Sequence, residues 1–168
     1  MWRSFNRRMS VAAAVASTAA LAVSADAAVA APFHAEFPAG TACTFGLAVD
    51  GVGGDKRVNR TFVDANGNPV RMLSAGVGFQ LTFTNLSNDA TTALPANGAV
   101  MKTVFNPDGS QTVTTTGHNV LILFPSDVPA GPSTTLYVGR VVYTVDADGV
   151  FTLVSTSGKA RDICASLT

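Results

Sequence analysis

Alternation of apolar and polar residues, broken at intervals by turn dipeptides, constrains this chain more than any other feature of it. In GFQLTFTN, Phe79, Leu81 and Phe83 alternate with Gln80, Thr82 and Thr84. Successive side chains of a strand point to opposite faces, so this pattern specifies a strand buried on one side. In TACTFGLAVD the same period joins Cys43, Phe45, Leu47 and Val49, which predicts a strand with the cysteine on its core side. Between these two stretches, KRVNRTFVD and NPVRML flank the Asn66-Gly67 step, and asparagine and glycine both enter left-handed backbone regions at little cost.

The same logic recurs at NPDG, ending in Gly109, and at DADG, ending in Gly149. It predicts hairpins of AVMKTVF with SQTVTTT and of GRVVYTV with VFTLVST. NVLILFP is apolar on both faces, so Val120 to Phe124 is expected to be a central strand covered on both sides. Pro125, Pro129 and Pro132 then punctuate a long connection, because proline cannot donate to a ladder. The inventory is about eight strands with no helix. Eighteen threonines after residue 30 add to the β-favouring residues.

An all-β fold follows, with two stacked antiparallel sheets, because several half-apolar strands each need one face covered. An immunoglobulin-like β-sandwich is the preferred form, and a jelly roll or small closed barrel is the alternative.

The first thirty residues read as a secretory signal peptide. Arg3, Arg7 and Arg8 precede an apolar run from Val11 to Val23, and Ala28-Val29-Ala30 supplies the small-x-small cleavage pattern. A cut after Ala27 is the alternative. The run falls short of the roughly 20 residues that a spanning helix needs. Residues 31–168 then form a single secreted domain, not an integral membrane protein, located outside the cell or at its wall.

Cys43 and Cys164 are the only cysteines, and export places them where an even pair bridges. A bond closing a loop of about 120 residues stabilises by about 5 kcal/mol in the chain-entropy model. The bond brings the start and end of the domain side by side. The tail SGKARDICASLT is expected to be clamped by it, with Ile163 facing inward.

Without the signal, eight basic residues face ten acidic ones, and the basic ones are scattered along the sequence. Such a balance gives no basic field for nucleic acid. No cofactor is implied.

His34 and His118 have no local partner at metal-ligand spacing. Asp64, Asn66 and Asn68 resemble the start of a calcium loop and are the candidate metal ligands. Pro69 and Ala75 nevertheless stand where that loop needs glycine and glutamate, so a hairpin turn explains the stretch with fewer assumptions. The same holds for Asp146 and Asp148.

No GxSxG elbow is present, so serine hydrolysis would need a triad assembled from distant loops, with His118, Asp127 and a serine as members. Glu36 is the only glutamate after residue 30, so no acid pair for glycoside cleavage stands out. Tyr137, Asp127 and Arg140, close to the proline-containing connection, are the candidate binding residues, Tyr137 as an amphipathic contact. Tyr143 shares a face with Val141 and Val145 and is expected in the core. Asn59 and Asn85 begin glycosylation acceptor triplets.

The signal, Cys43, GNPVR, LTFTNLS, GHNVLILFPSDVPAGPSTTLYVGRVVYTVDADGVFTL and DICASL together resemble uncharacterised small secreted all-β proteins of high-GC Gram-positive bacteria. The resemblance spans nearly all of residues 31–168 and implies export and an all-β fold. It carries over no activity and no functional residue. The expectation is a secreted binding or structural module that contacts a cell-surface component, a protein or a glycan. A small secreted hydrolase with a loop-built site and a self-assembling surface subunit are the alternatives.

Overall fold

The computed structural model describes residues 32–53 and 56–168; the expected signal peptide, residues 1–30, lies outside the described residues. Ten strands run in order: β1 Phe33–Phe37, β2 Leu47–Val52, β3 Lys56–Val63, β4 Pro69–Val77 and β5 Gln80–Asn85, then β6 Thr91–Leu94, β7 Gly98–Phe105, β8 Gln111–Leu123, β9 Ser133–Val145 and β10 Phe151–Asp162. A single 3-10 turn, Ala165–Leu167, follows. All three turn dipeptides close hairpins as their chemistry requires, pairing β3 with β4, β7 with β8 and β9 with β10.

The strands form two antiparallel sheets, one ordered β1-β2-β5-β6 and the other β10-β9-β8-β7-β4-β3. Neither closes into a barrel, so the architecture is a β-sandwich.

Several expected elements have different bounds. QTVTTT and NVLIL lie in one strand of 13 residues, β8, running through Gly117. Cys43 precedes β2 rather than lying within it. The amide of Gly40 donates to the Cys43 carbonyl (2.8 Å) and that of Thr41 to the Pro38 carbonyl (3.1 Å), so a turn uses backbone groups that a ladder would need.

The larger sheet doubles back on itself. Gly76, Ala99, Gly117, Gly139 and Gly158 stand in one row across five adjacent strands. The four glycines have φ of 146, 99, 149 and 99 degrees, a region L side chains rarely adopt. A Cβ on any of them would run into the neighbouring strand's backbone, for example the Ser157 carbonyl oxygen at Gly139. Glycine kinks of this kind let a sheet turn a corner.

The clasp at Asp127 demonstrates the turn. Its carboxylate accepts from the Phe124 amide (2.6 Å) and from the Phe151 amide (3.0 Å). Phe124 follows the end of β8, whereas Phe151 lies across β9 from Gln111 at its beginning. A straight strand of this length would hold those ends about 40 Å apart.

Doubling back explains the apolar run. Val120, Ile122 and Leu136 pack against the smaller sheet, in a core with Cys43, Leu47, Val49, Phe83, Ile163 and Leu167. Leu121 and Leu123 point the other way and join Val113, Val141, Tyr143 and Phe151 in a second core inside the fold-back.

Cys43 and Cys164 form a disulfide with their alpha carbons 5.6 Å apart. Around it, the Thr134 hydroxyl donates to the Ala42 carbonyl (2.9 Å) and the Asn85 amide to the Leu167 carbonyl (3.1 Å). The tail is therefore held by packing, hydrogen bonds and a covalent link together, with Ile163 completely buried.

Candidate functional site

The fold-back leaves one broad face of the larger sheet turned outward. Residues paired directly across antiparallel strands share a face. The row Arg60, Leu73, Lys102, Thr114, Val142 and Ser155 crosses all six strands. The next rows on that face carry Phe62, Arg71, Val104, Thr112, Thr144 and Thr152 on one side, and Val58, Ala75, Val100, Thr116, Arg140 and Ser157 on the other. One further step along β3 places Lys56 there too.

Five basic residues scattered in sequence, Lys56, Arg60, Arg71, Lys102 and Arg140, thus share one face. No aspartate or glutamate occurs in β3, β4, β7, β8 or β9, and Asp162 of β10 is in register with Thr135, on the opposite face. The face also carries exposed Val58 and Val100. A depression of about 370 Å³ opens beside the kink, lined in part by Val77, Val100 and Thr116.

At the margin of the face, the Arg71 guanidinium carbon lies 4.0 Å from the Phe62 ring centroid and that of Arg60 lies 5.0 Å from it. Arg71 Nε is buried without a hydrogen-bond partner. Among the described residues, neither guanidinium is paired with a carboxylate.

On the outer side of the smaller sheet, His34 Nδ1 bonds the Asp50 carboxylate at 2.7 Å and Nε2 bonds that of Glu36 at 3.2 Å. The hydrogen bond with Asp50, then that with Glu36, raises the imidazole above its ordinary pKa. Burial raises the Tyr143 hydroxyl in the second core.

The candidate binding residues from the sequence do not converge. Arg140 is exposed on the cationic face, Tyr137 packs against the inner core and Asp127 is buried in its clasp. Both Asp127 oxygens accept from backbone amides, which gives this side chain a structural role in the clasp.

Asp64 Oδ1 accepts from the amides of Asn66 (2.8 Å) and Asn68 (2.9 Å), and Oδ2 accepts from the Asn68 side chain (3.1 Å). These bonds hold the Asp64 carboxyl below its usual range, the Asn68 amide first. The stretch is a turn closed by its own aspartate. Among the described residues no group of three His, Cys, Asp or Glu is placed to hold a metal.

Asn85 is buried, and its side chain bonds the Leu167 carbonyl and the Ser87 amide, so the folded chain presents only Asn59 of the two acceptor triplets. The chain matches no protein-family model, no curated protein and no solved structure.

What sequence reasoning missed was the Arg60, Phe62 and Arg71 group. Part of its signal was legible: Arg60 and Phe62 share a face at spacing two, and the Asn-Gly hairpin brings Arg71 opposite Phe62. Lys102 and Arg140 join them only through the pairing of β4 with β7, between which β5 and β6 leave in sequence for the smaller sheet.

Proposed function

We propose that the chain is a secreted binding module that holds a negatively charged cell-surface component against the outward face of its larger sheet. The observation that carries this reading is the clustering of Lys56, Arg60, Arg71, Lys102 and Arg140 on a face whose strands contribute no carboxylate to it. Charges of one sign on a broad surface sum to a potential that attracts polyanions and speeds their encounter. The Cys43–Cys164 disulfide fits an oxidising compartment, and no described helix is long and apolar enough to cross a membrane.

Self-assembly through the β3 edge has less support. Lys56, Arg57 and Arg60 lie on that edge strand, and edge charges of one sign oppose pairing of two copies. The hydrolase reading has less support: its candidate acid, Asp127, is bound to two backbone amides in the clasp.

The test is retention of the purified protein on cell-envelope fractions at low and high salt. Binding that weakens steeply with salt and is lost when Arg60, Lys102 and Arg140 become glutamine is the expected result. Retention no greater than that of an unrelated β-sandwich of similar net charge would overturn the proposal.

A further inference from the structure

We infer that Arg60, Arg71 and Phe62 anchor a phosphodiester group, and that the polyanion taken by this face is a linear polyol-phosphate chain. The inference rests on the reading of the outward face as a binding surface and names its ligand.

Phe62 is the organising residue. With the Arg71 guanidinium 4.0 Å from its ring centroid and that of Arg60 5.0 Å away, one ring holds two like charges that would otherwise repel. A guanidinium held over a ring face keeps its N–H donors off the ring and free for a ligand. Neither fork has a carboxylate partner among the described residues, and because Arg71 Nε is buried, the terminal nitrogens of that fork are the ones a ligand would reach.

The two forks come from different strands, Arg60 from β3 and Arg71 from β4, offset diagonally across the ladder. A planar carboxylate is satisfied by one fork lying in its own plane. Two forks anchored on different strands can meet different oxygens of a tetrahedral anion, which favours a phosphate ester over a carboxylate.

Linearity follows from the rest of the face. Lys102 lies diagonally beyond Arg71, and Arg140 lies two strands further across. From β3 to β9 this track spans about 19 Å, four strand spacings. The hydroxyls of Thr112, Thr114 and Thr116 share the face between them. A chain whose charges sit in its backbone reaches these cations in succession, whereas a single phosphate reaches only the arginine pair. Sugar rings would need an open aromatic platform, and the aromatic ring of these rows, Phe62, is occupied by guanidinium groups.

The experiment measures binding of the intact protein to poly(glycerol phosphate), polygalacturonate, dextran sulfate, an oligothymidylate and inorganic phosphate, each at two salt concentrations. Poly(glycerol phosphate) is expected to bind tightest and inorganic phosphate at least a hundredfold more weakly. Arg60→Lys/Arg71→Lys keeps the net charge and removes the forks; it is expected to lower affinity for poly(glycerol phosphate) at least tenfold with unfolding unchanged. Arg140→Gln is expected to lower it about threefold and to reduce the salt dependence by about one phosphate contact.

Equal affinity for polygalacturonate, or no effect of the double lysine variant, would overturn the phosphodiester anchor and leave the anionic-surface reading standing. Tighter binding of dextran sulfate or the oligothymidylate would overturn the named partner. Failure of every polyanion to bind would overturn both readings.

Discussion

Gly117 and Gly139 face each other across the ladder between β8 and β9, both at positive φ, at the line where the larger sheet turns back over its own core. A Cβ at Gly139 would overlap the Ser157 carbonyl oxygen, and one at Gly117 would come within 2.5 Å of the Gly98 carbonyl oxygen. The close approach is to backbone, which cannot rotate away.

Gly139→Ala should therefore cost about 2–4 kcal/mol, combining backbone strain with a steric overlap. Gly53→Ala is the control: φ is also positive there, but nothing lies within 4 Å of the added carbon, so the expected loss is about 1–2 kcal/mol. Urea midpoints of the two variants at fixed pH check this. Equal midpoints would show that the kink does not depend on the glycine row.

The disulfide closes a sequence separation of 121 residues, which is most of the domain. Replacing both Cys43 and Cys164 by alanine should remove about 3–5 kcal/mol of unfolding free energy, because the unlinked chain gains loop entropy when it unfolds. Denaturant curves of the oxidised protein and the double variant, with free thiols titrated in each, provide the comparison. The variant should also lose protection of the Ile163 to Leu167 amides from hydrogen exchange first.

Asp127 holds the proline-containing connection against the start of β10, where the Val128 amide also donates to the Phe151 carbonyl and the Leu153 amide to the Val128 carbonyl, both at 2.7 Å. Asp127→Ala leaves two amides without their acceptor and should cost about 2–4 kcal/mol. Asp127→Asn retains one accepting oxygen and should cost less. Faster limited proteolysis within residues 124–132 in both variants is the accompanying signature; unchanged cleavage would mean that the backbone bridge alone secures the connection.

His34 has a pKa raised above its ordinary 6.5 by Asp50 first and Glu36 second. A raised folded-state value stabilises the folded protein fully below the unfolded value, and that contribution disappears as pH rises through the folded one. The site is fully exposed and screened, so its titration is the informative readout, not its stability. Imidazole resonances in NMR should titrate above 6.5, and Asp50→Asn should lower the midpoint more than Glu36→Gln. The reverse order would mean that the shorter hydrogen bond is not the stronger one.

The sequence alone specified most of the strands and the local turns. Leu81 and Phe83 alternate with Gln80, Thr82 and Thr84 along β5, which begins after Phe79, and Asn66-Gly67, Asp108-Gly109 and Asp148-Gly149 each closed the hairpin their backbone preferences required. These are short-range properties, set by side-chain period and by φ at single residues. The two apolar faces of Val120 to Phe124 were legible for the same reason, although what covered each was not.

Tertiary structure decided how those pieces combine. β4 pairs with β7 while β5 and β6 leave for the other sheet, and the glycine row bends the larger sheet so that one strand serves two cores. Nothing in the local pattern marks out Gly117 and Gly139; their neighbours across the ladder do. The gathering of Arg60, Arg71, Lys102 and Arg140 follows from that non-local register: each residue's local pattern sets only which side of its own strand it occupies, and burial of the shared cores sets which sides become one surface.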